Sequence, residues 1–246
     1  MSDLTVTVIG SGDAFSNGGY RQTCFHTHTQ HGDFLIDCGA SAYQGLKQLA
    51  VALDQIDIII ISHFHGDHYG GLPFLLLDMA THGRGKVLTV ISPPGCEQRI
   101  SEMLDLLYPG SDVLGKMNVI FRSYKKYEEI VVNYLTVTAV PVLHKPESLP
   151  HGLRIGVADK IISYSGDTEW TDELIMLAKD ADLFICECNF YDRITAGHMN
   201  YLSLKENIHK LAYKKILLTH FDAEMLMRLN EVEWPHAKDG MSISLG

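Results

Sequence analysis

At 246 residues, with 46 % apolar and 20 % charged side chains, the chain has a globular composition and the length to bury a sizeable core, which excludes disordered and fibrous classes. Acidic residues outnumber basic ones by 30 to 20, and no basic run exceeds the pairs Lys125-Lys126 and Lys214-Lys215. The formal charge of −10 therefore argues against nucleic acid as a partner, because polyanion-binding surfaces cluster Lys and Arg.

No apolar stretch approaches the roughly 18 residues of a membrane span, and no secretory signal follows Met1. Five cysteines, odd in number and without a Cys-x-x-Cys pair, predict reduced thiols in a cytoplasmic protein. In chain order, Leu4–Ile9 and Asp33–Asp37 read as an opening pair of strands separated by the glycine-rich loop Gly10–Gly19. Ala42–Ala50 reads as a helix. Ile56–Ile61 is a continuous apolar run, the mark of a strand covered on both faces. Helices are expected over Gly70–His82 and Cys96–Leu107, with a strand at Val87–Ile91 between them. The middle third predicts a meander: Val119–Ser123, Ile130–Val132, Leu135–Val142, Leu153–Ala158 and Lys160–Tyr164. Helix Asp172–Lys179, strand Leu183–Cys186, helix Ser203–Tyr213, strand Ile216–Thr219 and helix Ala223–Leu229 follow. No repeat or linker divides the chain, so residues 1–246 are expected to form one domain, an α/β fold of the αββα sandwich type.

The densest chemistry is Ser62-His63-Phe64-His65-Gly66-Asp67-His68, directly after the apolar run. Three histidines and an aspartate within six residues cannot all find buried partners in a core. On an irregular loop, relieved at the turn by Gly66, they can converge on cations. His144, Asp167 and His220 each follow a predicted strand, and in α/β sheets that edge is where sites assemble. Seven ligands are too many for one tetrahedral zinc and suit two divalent cations sharing a carboxylate. Histidine and carboxylate without thiolate favour zinc, with manganese or iron as alternatives. Such a pair would generate hydroxide at neutral pH, a hydrolytic nucleophile.

With these residues in this order the sequence resembles the metallo-β-lactamase superfamily. The signature His63-x-His65-x-Asp67-His68, the lone His144, Ser165-Gly166-Asp167-Thr168 and the late Leu218-Thr219-His220 all take part. The resemblance implies the αββα fold and assigns His63, His65 and His144 to one metal. It assigns Asp67, His68 and His220 to the other, with Asp167 bridging. Gly197-His198-Met199-Asn200 is similar to the extra histidine motif of the ribonuclease Z and cyclic-phosphodiesterase branch, usually Gly-His-Ser-Thr. There the histidine protonates the leaving oxygen, so His198 becomes the general acid, and with Asp67 it makes up the expected catalytic pair. Gly10-Ser11-Gly12-Asp13-Ala14 with Arg21 resembles the opening loop of the same branch.

The 22 residues between His144 and Asp167 are already spoken for by strands, so no transfer-RNA-gripping arm fits there. Nor does the cysteine-rich extra metal site of the phosphonate-pathway cyclic phosphodiesterases, since only Cys24 lies near the N-terminus. The resulting expectation is a dinuclear hydrolase of small phosphodiesters, cyclic ones included. A bridging hydroxide would attack, and Arg21, His26, His28 and His151 would be candidate phosphate or rim contacts. Alternatives on the same scaffold are an ester, thioester or lactone hydrolase, a ribonuclease Z-like nuclease, and a mononuclear iron dioxygenase of persulfides. A non-enzymatic binding module fits least, because all seven ligands are intact. By analogy with similar proteins, a homodimer is the expected assembly if the chain is not a monomer.

Overall fold

In the computed structural model, which describes residues 4–246, alternating side chains on thirteen strands sort the chain into four layers. Seven strands form the first sheet: β1 (Thr5–Gly10), β2 (Cys24–Thr29), β3 (Gly32–Ile36), β4 (Ile56–Ile60), β5 (Leu88–Ser92), β6 (Val119–Ser123) and β13 (Ser242–Ser244). Their spatial order is β13-β1-β2-β3-β4-β5-β6. The second sheet holds β7 (Glu129–Val132), β8 (Leu135–Pro141), β9 (His151–Val157), β10 (Lys160–Tyr164), β11 (Leu183–Glu187) and β12 (Ile216–Thr219), in the order β12-β11-β10-β9-β8-β7.

One core lies between the sheets, where Val6, Val8, Phe34, Ile58 and Ile60 meet Val137, Ile155, Ile162 and Ile185. The opposite face of the first sheet is covered by α1 (Ala42–Gln48), α3 (Leu72–Thr81) and α4 (Cys96–Leu107), through Leu46, Leu72, Leu76 and Ile100. The outer face of the second is covered by α5 (Glu173–Ala178), α6 (Tyr201–Asn207) and α7 (Ala223–Met227), through Leu174, Leu177, Leu204 and Met225. The result is the αββα sandwich. Strand β4 shows why: Ile58 and Ile60 face the inter-sheet core while Ile59 and Ile61 face the helices, all fully buried.

Two strands escape the sequence pattern. The first, β2, carries Thr-x-Thr and His-x-His alternation in place of an apolar face, and it pairs antiparallel with both β1 and β3. The second, β13, has three residues and is held as an edge by β1. A short helix, α2 (Gly66–Tyr69), also stands where an irregular loop was expected. The helix expected over Ser203–Tyr213 starts earlier, at Tyr201, and stops at Asn207 before a single 3₁₀ turn. Its start is set by Asn200, whose side chain accepts a hydrogen bond from the Ser203 N–H.

Strands β3 to β6 run parallel, as do β10 to β12, and β8 shares their direction through the antiparallel β9. The C-terminal ends of β3, β4, β8, β10, β11 and β12 therefore deliver their following residues to one edge of the sandwich. All five cysteines are buried and free. Among the described residues, no helix is long and apolar enough to cross a membrane.

Candidate metal centre and active site

At that edge the seven residues singled out by spacing come together in two adjoining groups. His63, His65, His144 and Asp167 place one potential ligand atom each within 4.8 Å of one another, and so do Asp67, His68, Asp167 and His220. Asp167 belongs to both. Its Oδ2 faces His63 Nε2 at 3.8 Å and His144 Nε2 at 3.9 Å, while Oδ1 faces His68 Nε2 at 3.2 Å and His220 Nε2 at 3.6 Å.

Hydrogen bonds on the far side of each ring fix which nitrogen points inward. His68 Nδ1 donates to the buried Asp37 at 2.7 Å, and His63 Nδ1 lies 3.0 Å from Ser62 Oγ, which itself donates to Asp37. His144 Nδ1 donates to the Gly197 carbonyl at 2.6 Å. The Asn189 amide meets His220 Nδ1 at 2.8 Å. With the Nδ1 protons of His63 and His144 engaged outward, their Nε2 atoms present lone pairs inward. His220, whose Nδ1 accepts from Asn189, instead turns an Nε2–H toward Asp67 Oδ2 at 3.2 Å. The carboxylates outweigh burial and hold His68 and His220 above their ordinary values. His65 Nδ1 sits 3.2 Å from His63 Nε2 and 3.0 Å from His144 Nε2. His68 Nε2 and Asp167 Oδ1 are buried with no hydrogen-bond partner at all. Acceptors converging on acceptors in a buried place are the arrangement that divalent cations resolve, so the donor set fits a metal pair. Burial pushes His144 down to about 4 and His63 well below its ordinary value, keeping both in the neutral, ligating form.

Local backbone serves this convergence. His220 and Asp37 both adopt left-handed φ values, +68° and +57°, costing on the order of 1 kcal/mol each to aim their side chains. Gly66 departs from expectation. It begins α2 with an ordinary negative φ, and a Cβ there would meet nothing within 4 Å, so it relieves no crowding. It lines the cleft instead.

A residue without metal-ligand spacing completes the site. Glu187, at the end of β11, is fully buried between Cys186 and Cys188 and accepts the His198 Nδ1 proton at 2.5 Å. Thr168 and Met199 backbone N–H groups hold its second oxygen. Burial and the nearby Asp167 raise the Glu187 carboxyl, and the contact with His198 opposes that rise. Burial lowers His198, but the Glu187 carboxylate outweighs it and holds the imidazole above its ordinary value. The His198 ring lies 4.7 Å from that of His144, and His198 lines a cleft of about 590 Å³ together with His65, Asp67, Asp167 and His220. Gly197, at φ +86°, lets the loop approach: a Cβ there would stand 2.8 Å from His144 Nδ1.

None of the four expected rim contacts lies in this cleft. Arg21 is turned away, bonded to the Ile9 carbonyl and to Gln48. His26 and His28 clamp Asp33, and His151 packs on Tyr124. For His26 and His28 the reason lies in β2, on which both stand and whose histidines turn to Asp33.

A family model described as Anti-Pycsar protein Apyc1 matches residues 4–234. A ribonuclease Z from Lachnoclostridium phytofermentans is 25 % identical over 289 residues, covering 96 % of this chain and 95 % of the relative. The Anti-Pycsar protein Apyc1 of Bacillus phage 010DV004 is 27 % identical and covers 90 % of both chains. Among solved structures, the metallo-β-lactamase fold protein YhfI of Bacillus subtilis superposes with a TM-score of 0.80 at 22 % identity over 99 % of each chain.

Proposed function

The chain belongs to the Anti-Pycsar Apyc1 family within the ribonuclease Z-like metallo-β-lactamases and is a metal-dependent hydrolase, and from that premise we propose a dinuclear phosphodiesterase acting on small phosphodiesters, cyclic ones included. On this reading residues 1–246 act as one catalytic domain. His63, His65 and His144 would hold one divalent cation, Asp67, His68 and His220 the other, and Asp167 both. Zinc suits this donor set, with manganese or iron as alternatives.

When bound, the pair supplies Lewis acidity for the phosphoryl oxygens and lowers the pKa of water toward about 7. The rest is done by side chains. Asp67 stays ionised, because His68 and His220 outweigh the burial that would raise it, and it accepts a proton of the attacking water. His198, charged on Glu187, presents Nε2 as the proton donor, and that proton moves to the departing alkoxide as the phosphorus–oxygen bond breaks. The cations' own field would drive the proton off His198. The buried Glu187 carboxylate offsets that field and keeps the acid loaded.

The observation that carries this reading is the His198–Glu187 pair, facing the same cleft as both ligand groups. A carboxyl-ester hydrolase has less need of a strong acid dedicated to the leaving group. Size also supports it. At −10, even two divalent cations leave the molecule negative, which disfavours long polyanions such as RNA. The stretch between His144 and Asp167 is occupied by a 3₁₀ turn, β9 and β10.

The test is a leaving-group comparison on metal-analysed protein. His198→Ala is expected to slow a cyclic phosphodiester, whose alkoxide needs a proton, by about 10²-fold or more. Bis-p-nitrophenyl phosphate, whose phenolate leaves unaided, should suffer far less. Equal losses on both would remove His198 as the acid. Turnover of carboxyl esters or thioesters without phosphodiesters would overturn the reading.

A further inference from the structure

The loop of residues 13–17, which lines the same cleft as His198, has an unusual composition for a metal site. Phe15 lines the cleft yet is 84 % exposed. It is not a loose tip. Asp13, itself buried, accepts hydrogen bonds through Oδ1 from the Phe15 and Asn17 N–H groups at 3.2 and 3.1 Å, and through Oδ2 from the Asn17 amide at 2.7 Å. Ser16 follows in a left-handed conformation, φ +54°, which a side chain rarely adopts. A left-handed backbone and three partly buried hydrogen bonds to Asp13 thus hold an aromatic ring in solvent at the cleft.

The same cleft offers a second flat surface. The Arg193 guanidinium stacks 3.8 Å from the centre of the Phe190 ring, and its charge is tied to Asp222 at 2.7 Å. What Arg193 presents is therefore a planar face more than a free charge. Among the described residues it is the only lysine or arginine lining the cleft, and the acidic residues that line it outside the ligand groups are Asp13 and Asp222. An environment this acidic away from the ligand groups does not favour a second phosphate. Flat apolar surfaces favour a flat apolar group.

We propose that Phe15 is a specificity-determining residue that stacks on a planar aromatic group carried by the phosphodiester, a nucleobase or an aryl ester arm. The inference rests on the phosphodiesterase reading. It adds that the ligand is recognised at two points, phosphate at the ligand clusters and a flat ring at Phe15.

Binding to zinc-loaded protein, followed by titration calorimetry, tests it without turnover. The probes are inorganic phosphate, p-nitrophenyl phosphate and thymidine 5′-monophosphate. The wild type should bind one or both ring-bearing probes more tightly than phosphate. Phe15→Ala should weaken that probe about 10-fold, the size of one ring stack, while leaving phosphate unchanged. Phe15→Tyr should restore the preference, and Phe15→Leu, apolar but not planar, should not. Whichever ring-bearing probe responds identifies the arm, aryl or nucleobase. If phosphate binds and Phe15→Ala leaves all three affinities alone or shifts them equally, the clamp is wrong and the phosphodiesterase reading stands. If phosphate does not bind the loaded wild type, both fail together.

Discussion

In the first sheet, the buried Asp33 receives His26 Nε2 on one oxygen and His28 Nδ1 on the other, at 2.8 and 2.7 Å. Burial would raise its carboxyl, but the two histidine hydrogen bonds outweigh burial and hold it below the usual carboxylate range. A folded-state pKa lowered in this way adds stability above the unfolded value of about 3.9, and the increment fades as pH falls through the folded value. Asp33→Asn is expected to cost about 2 kcal/mol at pH 7, roughly 4–8 °C in Tm, with the deficit shrinking below about pH 4. Thermal melts of both proteins from pH 3 to 7 measure it, and a deficit that stays constant would refute the electrostatic account. The same histidines show what residue spacing conveys and what it hides. His63, His65, Asp67 and His68 are legible because they crowd one loop, whereas His26 and His28 alternate on a strand and turn to Asp33. Glu187 and Asn189 give no signal by spacing, since each is one polar residue at a strand end and its partner lies elsewhere in the chain. A carboxylate set between Cys186 and Cys188 in an apolar run was the one available hint, because burying it demands a partner.

At the scale of elements, the apolar run of β4 and the alternation of β8 were readable because burial on both faces, or on one, leaves a periodic trace. β2 and β13 were not, since one is patterned with polar residues and the other is too short to show a period. The loop from Phe190 to Asn200 is where an element controls chemistry. Its Gly197 carbonyl fixes the His144 ring, and its next residue is His198. Gly197→Ala introduces a Cβ against His144 and strains a left-handed backbone, so it should disturb a ligand and the acid together. The expected result is a fall in kcat of about 10²-fold together with weaker metal retention on dialysis. Full metal content with unchanged kcat would show that the loop tolerates the intrusion.

For the whole molecule, the dinuclear proposal implies that filling the ligand groups stabilises the fold, since the ring nitrogens of His63, His65 and His144 otherwise face one another at 3.0 to 3.2 Å. Chelation should therefore lower Tm, and two equivalents of zinc should restore it. Each site would contribute about 2.7 kcal/mol when free metal is 100-fold above its Kd, or together roughly 10–20 °C. Scanning calorimetry alongside elemental analysis decides this, and a Tm indifferent to verified metal removal would contradict the dinuclear proposal. The layered fold was legible as a class, because two runs of β and α character flank a meander. The pairing of the sheets was not, because it depends on contacts between residues more than a hundred positions apart.

Each ligand group draws on both sheets: His63 and His65 from the first meet His144 from the second, and Asp67 and His68 meet His220. A chain emerging from its N-terminus thus offers only half of each group until the second sheet has formed and docked. On the dinuclear proposal, metal capture would belong at the end of folding, and its rate would report the docking of the two halves. Once captured, the proposed ions would join the layers like rivets. They would slow unfolding far more than they hasten folding, since contacts made after the transition state act on the exit barrier.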